Sequence, residues 1–246
     1  MTASNDQQYL YVFLHQEKTG GTTLNAHLAE HLGFDEGFAH VGPWGNQTRA
    51  AAGRPRLHDW PEEQLARLRV IAGHDVHGTI HRLVPGKEPR YFTFVRHPAE
   101  RAVSQYNHDA SRTALPPGFS EWYDRQMPDP QFEGLRRALG VVGLWEVRRR
   151  LDDFWFVGVT ETMDRDLPDI LRTMGVPTDY RRRRVTGGGA DIADVWPPIR
   201  DEPIVRHQDL TEEIREQVTA RDTEDIGLYR YARERNAELR DEYGWD

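Results

Sequence analysis

The sequence predicts an α/β fold: a single domain over residues 1–246, with a mostly parallel central sheet of about four or five strands flanked by helices. Three observations carry this expectation. Apolar-aromatic runs without polar alternation, led by "YLYVFL" at residues 9–14, have the pattern of strands buried on both faces of a parallel sheet. Such runs are followed by segments of helical spacing, the alternation that parallel sheets require. And 246 residues, 37% of them hydrophobic, can build one sizeable core without demanding a second.

The elements follow in order. After the first strand and a Gly-Thr loop, Leu24, Leu28 and Leu32 recur at helical spacing, and Gly33 is placed to end that helix. Residues 34–61, which contain Trp44 and Trp60, form a long ordered excursion. "EEQLARL" is a short helix, and "RVIAGH" a second strand ending at His74. A third strand, "RYFTFV", runs to Arg96; a helix then passes from Pro98 through "AERAVSQYNHDA", with proline in the first turn, where its missing N–H costs nothing. "PPGFSEWYDRQMPDPQ" is expected to be an irregular, aromatic-rich crossing, followed by one helix around residues 133–151. A fourth strand, "FWFVGVT", feeds a helix ending near Gly175. "RRRRVTGGGADIADVWPP" is expected as loop, and residues 210–241 as one or two surface helices packing Leu228 and Tyr231.

Composition excludes several function classes. A formal charge of -8 argues against a general nucleic-acid coat, because phosphate backbones are held mainly by excess Lys and Arg, so any anion site is local. Cys 0 removes disulfides and thiolate metal sites. "MTASNDQQYL" has neither a basic region nor a long apolar stretch, and no segment reaches the roughly 18 apolar residues of a membrane span, so a cytoplasmic protein without an integral membrane segment is expected. Oligomeric state is not legible.

The loop "HQEKTGGTTL" at residues 15–24 carries the first chemistry. Backbone N–H groups of a Gly-rich turn, feeding a helix N-terminus, make an anion cradle; Thr19, Gly20, Gly21, Thr22 and Thr23 supply those parts and Lys18 the full charge. Lysine occurs only at Lys18 and Lys87, every other one of the 32 basic residues being arginine, so an ammonium in this loop stands out. The nucleotide-kinase order G-x-x-x-x-G-K-[ST] is absent, which weakens an ATP-magnesium reading. A second stretch, "FVRHPAERAVSQY", has Arg96 at a strand end, where it offers a guanidinium fork, and Ser104 about two helical turns on.

Together these stretches resemble the sulfotransferases that use 3'-phosphoadenylyl sulfate (PAPS), in motif style the heparan 2-O-type carbohydrate O-sulfotransferases. "KTGGT" is similar to their 5'-phosphosulfate loop, and Arg96 with Ser104 to their 3'-phosphate receptor. Gln16 and Glu17 depart from the pattern, which has an apolar residue and proline there. "FVGVTETMDRDLPDILRTMG" and "DIGLYRYARE" resemble later elements of the same family, and Arg181 to Arg184 stand where relatives place a loop against the nucleotide. The resemblance implies a P-loop-like fold, PAPS as donor and PAP as product, no metal, and a hydroxyl acceptor, by preference on a carbohydrate. It also implies that His74 of "VIAGHDVHG" is the general base, with Asp75 and His77 as substitutes; the family's first strand-end histidine aligns with Ala72 and is missing. A histidine near neutrality suits that task.

Three other readings compete. A P-loop kinase would use a similar cradle but lacks the Walker order and a clear acidic magnesium site. A catalytically silent nucleotide-binding module would keep the fold without the base. His74, His77 and His81 at i, i+3 and i+7 suggest a metal hydrolase, although one short segment is a poor source for a ligand set.

Overall fold

The computed structural model describes residues 8–112, 118–126, 130–180 and 206–245. Its centre is a five-stranded, all-parallel sheet of β1 (Tyr9–Leu14), β2 (Phe38–His40), β3 (Val70–Gly73), β4 (Glu88–Val95) and β5 (Phe156–Val159), in the spatial order β2-β3-β1-β4-β5. Leu10, Val12, Phe13, Phe92, Phe94 and Phe156 are fully buried, because helices cover both faces as parallel sheets require. Phe13 stacks on Phe92 with ring centroids 4.7 Å apart.

Register decides where the site lies. Leu14 is level with Gly73 on one side and Thr93 on the other, and His40 with Ala72. The chain therefore leaves β1, β2, β3 and β4 along one edge of the sheet, the carboxyl edge where open α/β sheets bind ligands.

The helices are α1 (Gly21–Leu32), α2 (Pro43–Ala51), α3 (Glu62–Leu65), α4 (Pro98–Ala110), α5 (Phe119–Gln126), α6 (Gln131–Leu139), α7 (Leu144–Asp152), α8 (Met163–Thr173), α9 (Glu212–Arg221) and α10 (Thr223–Tyr243). A buried polar cluster ties α10 to β5 and α8: Asn236 Nδ2 donates to the Val157 carbonyl at 3.2 Å, and Arg240 Nη1 meets Asp166 Oδ1 at 3.0 Å. A second, smaller apolar cluster joins α4, α5 and α9 through Val103, Tyr106, Phe119, Trp122, Ile214 and Val218. Among the described residues no helix is long and apolar enough to cross a membrane.

The α/β architecture, the parallel sheet and four of its strands agree with expectation. The excursion at 34–61 is ordered, as expected, and supplies the fifth strand, β2, only three residues long, and the helix α2. Two local expectations do not hold. The "irregular" crossing holds α5, whose Phe119, Trp122 and Tyr123 recur at helical spacing and are all buried. The single helix around 133–151 is two: Gly140, at φ 66, ends α6 in the left-handed conformation, and Gly143 opens α7. Arg181 to Arg184 and their loop lie outside the described residues.

Candidate active site

The loop between β1 and α1 turns sharply through two left-handed residues, Lys18 at φ 64 and Gly20 at φ 81. Glycine adopts that conformation freely; lysine does so at a cost of roughly 1–2 kcal/mol. The turn sets the start of α1 at the sheet edge. No acidic residue stands in its first turn, and the Gly21 and Thr22 amides lie outside the helix's own hydrogen-bond ladder.

What holds the loop is a run of five main-chain carbonyls, each taken by a different side chain. Thr93 Oγ1 donates to Leu14 O at 2.7 Å, and His74 Nδ1 to His15 O at 2.9 Å. Thr19 Oγ1 donates to Gln16 O at 2.8 Å, Arg101 Nε to Glu17 O at 3.2 Å and Arg96 Nη1 to Lys18 O at 3.2 Å. Engaging the carbonyls this way satisfies their negative ends within the protein, while the helix start and the Lys18 ammonium face the cleft.

Three clefts meet here. One of 230 Å³ is bordered by Lys18, Gly20, Gly21, Thr22, Arg96 and Ser104, with His74 also on its wall. A larger one of 720 Å³ shares His15, Glu17 and His74 with it and adds Asp75, His77, Arg101 and Arg137. The third, of 210 Å³, shares Arg96 and Ser104 with the first and adds Arg206. Seven of the nine site residues expected from the sequence thus border one space. Thr19 and Thr23 do not: Thr19 is fully buried with its hydroxyl on the Gln16 carbonyl, and Thr23 is buried within α1. Gly21 has a second task, since a Cβ there would fall 2.2 Å from the His15 ring.

His74 is exposed at the carboxyl end of β3. Its ring stacks on His15, with centroids 4.3 Å apart and planes at 27°, and lies 6.4 Å from the His40 ring, nearly perpendicular to it. Because a carbonyl only accepts, the contact with His15 O assigns the proton to His74 Nδ1 and the lone pair to Nε2. Burial, reinforced by His74, His40 and Lys18, holds His15 well below the usual histidine range. Burial, with His74 and Arg49, lowers His40 to about 3. His77 and His81 turn to other partners, Thr79 Oγ1 and the Tyr91 hydroxyl, and among the described residues no group of three or more His, Asp or Glu is placed to hold a metal ion.

Arg96 is fixed from behind. Its N–H donates to Gln131 Oε1 and its carbonyl accepts from Gln131 Nε2, both at 2.8 Å, while Asp225 of α10 accepts the Gln131 and Phe132 amides at the start of α6. Asn107 binds the main chain of His207 and Gln208, which brings Arg206 to the third cleft. His15, His40, Arg101, Gln131 and Arg206 escaped sequence reasoning. Only the first and third carried a local signal, standing inside the two motifs; the others arrive from distant elements. Trp60, Trp122 and Tyr123 are buried in the cores and offer no aromatic platform to a ligand.

No family model matches the chain, and no curated protein sequence matches it. Among solved structures, a sulfotransferase from Alicyclobacillus acidocaldarius is similar, with 19% sequence identity and a TM-score of 0.44 over 97% of this chain and 97% of that one.

Proposed function

We propose that the protein is a sulfotransferase that moves a sulfonate from PAPS to an acceptor hydroxyl, on a carbohydrate or glycoconjugate, by in-line displacement. The observation that carries this reading is the joining of the clefts: Arg96 and Ser104 border both the Lys18 cleft and the Arg206 cleft, while His74 borders both the Lys18 cleft and the large one. A donor with anionic groups at two ends calls for two receptors, and an acceptor calls for a separate room with a base on the shared wall.

When bound, the donor supplies a sulfonate activated by its 5'-phosphate. Lys18 and the first amides of α1 take up the negative charge that develops on the departing phosphate oxygen. Arg96 and Ser104 hold the 3'-phosphate. His74 Nε2 accepts the acceptor hydroxyl's proton as its oxygen bonds to sulfur, and the S–O bonding pair leaves with the 5'-phosphate. The proton then passes from His74 to solvent. The step calls for no metal ion. Asp75, His77, Arg101 and Arg137 on the wall of the 720 Å³ cleft offer hydrogen-bond partners to a polyhydroxylated acceptor.

Calorimetry tests the reading. Adenosine 3',5'-bisphosphate is expected to bind without magnesium and ADP not to bind; tighter binding of magnesium-ATP would overturn the assignment. Arg96→Ala is expected to weaken the bisphosphate by at least ~10-fold, as lost charge-assisted bonds do. Lys18→Ala is expected to cost turnover by about 100-fold or more with little change in that affinity. A protein that binds the bisphosphate, transfers sulfonate to no acceptor in a screen and is indifferent to His74→Ala would be a binding module.

A further inference from the structure

We infer that His15 is a positioning residue for His74, holding the base in one tautomer and one ring plane through its carbonyl and its imidazole face. The inference rests on His74 being the base. His15 is well placed to act as a fixed reference. It is 7% exposed, its ring lies between Phe13, at 5.2 Å, and His74, at 4.3 Å, and its Nδ1 stands 3.4 Å from Asn25 Nδ2 on α1. The missing Cβ of Gly21 makes the room the ring occupies. His74 by contrast stands at the exposed end of β3, where a histidine left to itself samples both tautomers and several rotamers.

The two contacts divide the task. The His15 carbonyl takes the Nδ1 proton, so the lone pair falls on Nε2; the stacked ring limits rotation of the His74 plane, and His40 closes a further side edge-on. Both flanking imidazoles are kept neutral by burial, so a proton taken from the acceptor has one seat among the three. His15 is also the first residue of the loop that carries Lys18. The base and the cation are therefore set from one residue, and the distance between proton acceptance and leaving-group stabilisation is built into a few residues of backbone.

Side-chain ¹H–¹⁵N correlation spectra of the full chain, with the His74 signals assigned through His74→Gln, read the tautomer without donor or acceptor. The expected wild-type state is Nδ1–H; His15→Ala keeps the main-chain carbonyl but frees the His74 ring plane, so the Nδ1–carbonyl bond is made only part of the time and a mixture is expected, while His15→Phe, which keeps a flat ring, is expected to restore Nδ1–H. In turnover, His15→Ala should lower kcat about 100-fold, as misplacement of a reacting group does, with the donor KM and the bisphosphate Kd within about threefold, and His15→Phe should recover most of the loss. An Nε2–H tautomer in the wild type, or an unchanged tautomer in His15→Ala, would overturn the inference; if His15→Ala does not fold, the wild-type tautomer decides. A His74 that answers to His15 in a protein that ignores the bisphosphate would support the pairing and sink the sulfotransferase reading.

Discussion

Lys18 shows how much a single residue can conceal. Its charge, its rarity in this arginine-rich chain and its place beside two glycines are legible in the sequence; its left-handed backbone is not, because φ is set by the loop's closure onto Arg96 and Arg101, some eighty residues away. The conformation makes a prediction that separates stability from activity. Lys18→Gly is expected to be more stable than Lys18→Ala by roughly 1 kcal/mol, since glycine relieves a positive φ that alanine must keep, while both lose turnover alike. Equal urea midpoints for the two variants would contradict it. The histidines make a second. His15 and His40 have folded-state values depressed below the unfolded value near 6.5, with smaller shifts of the same sign at His27, His81 and His97. The unfolded chain therefore binds more protons below pH 6.5. Stability is fully present above that pH and is lost as pH falls toward about 3, with a limiting slope of about 1.4 kcal/mol per pH unit for each deeply shifted group. Urea unfolding at pH 7, 6 and 5, above most carboxylate titration, should show the decline, and His40→Asn should flatten it; a level profile would mean these rings are not buried neutral.

At the scale of elements, the strands that line the core were legible because each is long enough to show an unbroken apolar run. β2 was not: Phe38–His40 is too short for a period, and its place at the sheet edge depends on pairing with β3. The same limit hid His40, since nothing local says that a histidine after "FA" ends a strand beside His74. The break between α6 and α7 is marked by Gly140 and Gly143, yet their spacing lies within what a helical pattern tolerates. That break matters less to the site than the other end of α6. Gln131, 1% exposed, closes two hydrogen bonds on the Arg96 backbone, and Asp225 caps the same turn. Gln131→Leu is expected to cost about 2 kcal/mol by stranding buried main-chain groups, and to weaken the bisphosphate about 10-fold by loosening Arg96. Arg136→Ala, which removes the part-exposed pair with Glu133 and a 3.3 Å bond to the Val141 carbonyl at the far end of α6, should lower the thermal midpoint far less and leave the affinity unchanged; parity of the two variants would show that α6 is mere scaffolding.

For the molecule as a whole, the buried apolar side chains among the described residues form two clusters: a large one around the sheet, and a smaller one of α4, α5 and α9. The Lys18 cleft lies where the β1–α1 loop and α4 approach each other, and Arg101 of α4 reaches across to the Glu17 carbonyl as Arg96, at the end of β4, holds that of Lys18. A ligand gripping Lys18 on one side and Arg96 and Ser104 on the other therefore ties the two clusters together. At a hundredfold excess of bisphosphate over Kd, mass action alone adds about 2.7 kcal/mol, and the gain should appear in amide exchange of α4, α5 and α9. A rise in thermal midpoint with no added protection in those helices would place the ligand elsewhere. The five tethered carbonyls of residues 14–18 carry one more consequence. Their donors come from β4, the β3 end, the loop itself and α4, so "HQEKTGGTTL" is portable only in part. Grafted onto another parallel sheet without Thr93, His74, Arg96 and Arg101, the decapeptide would bring its charge and glycines but lose the scaffolding that orients them.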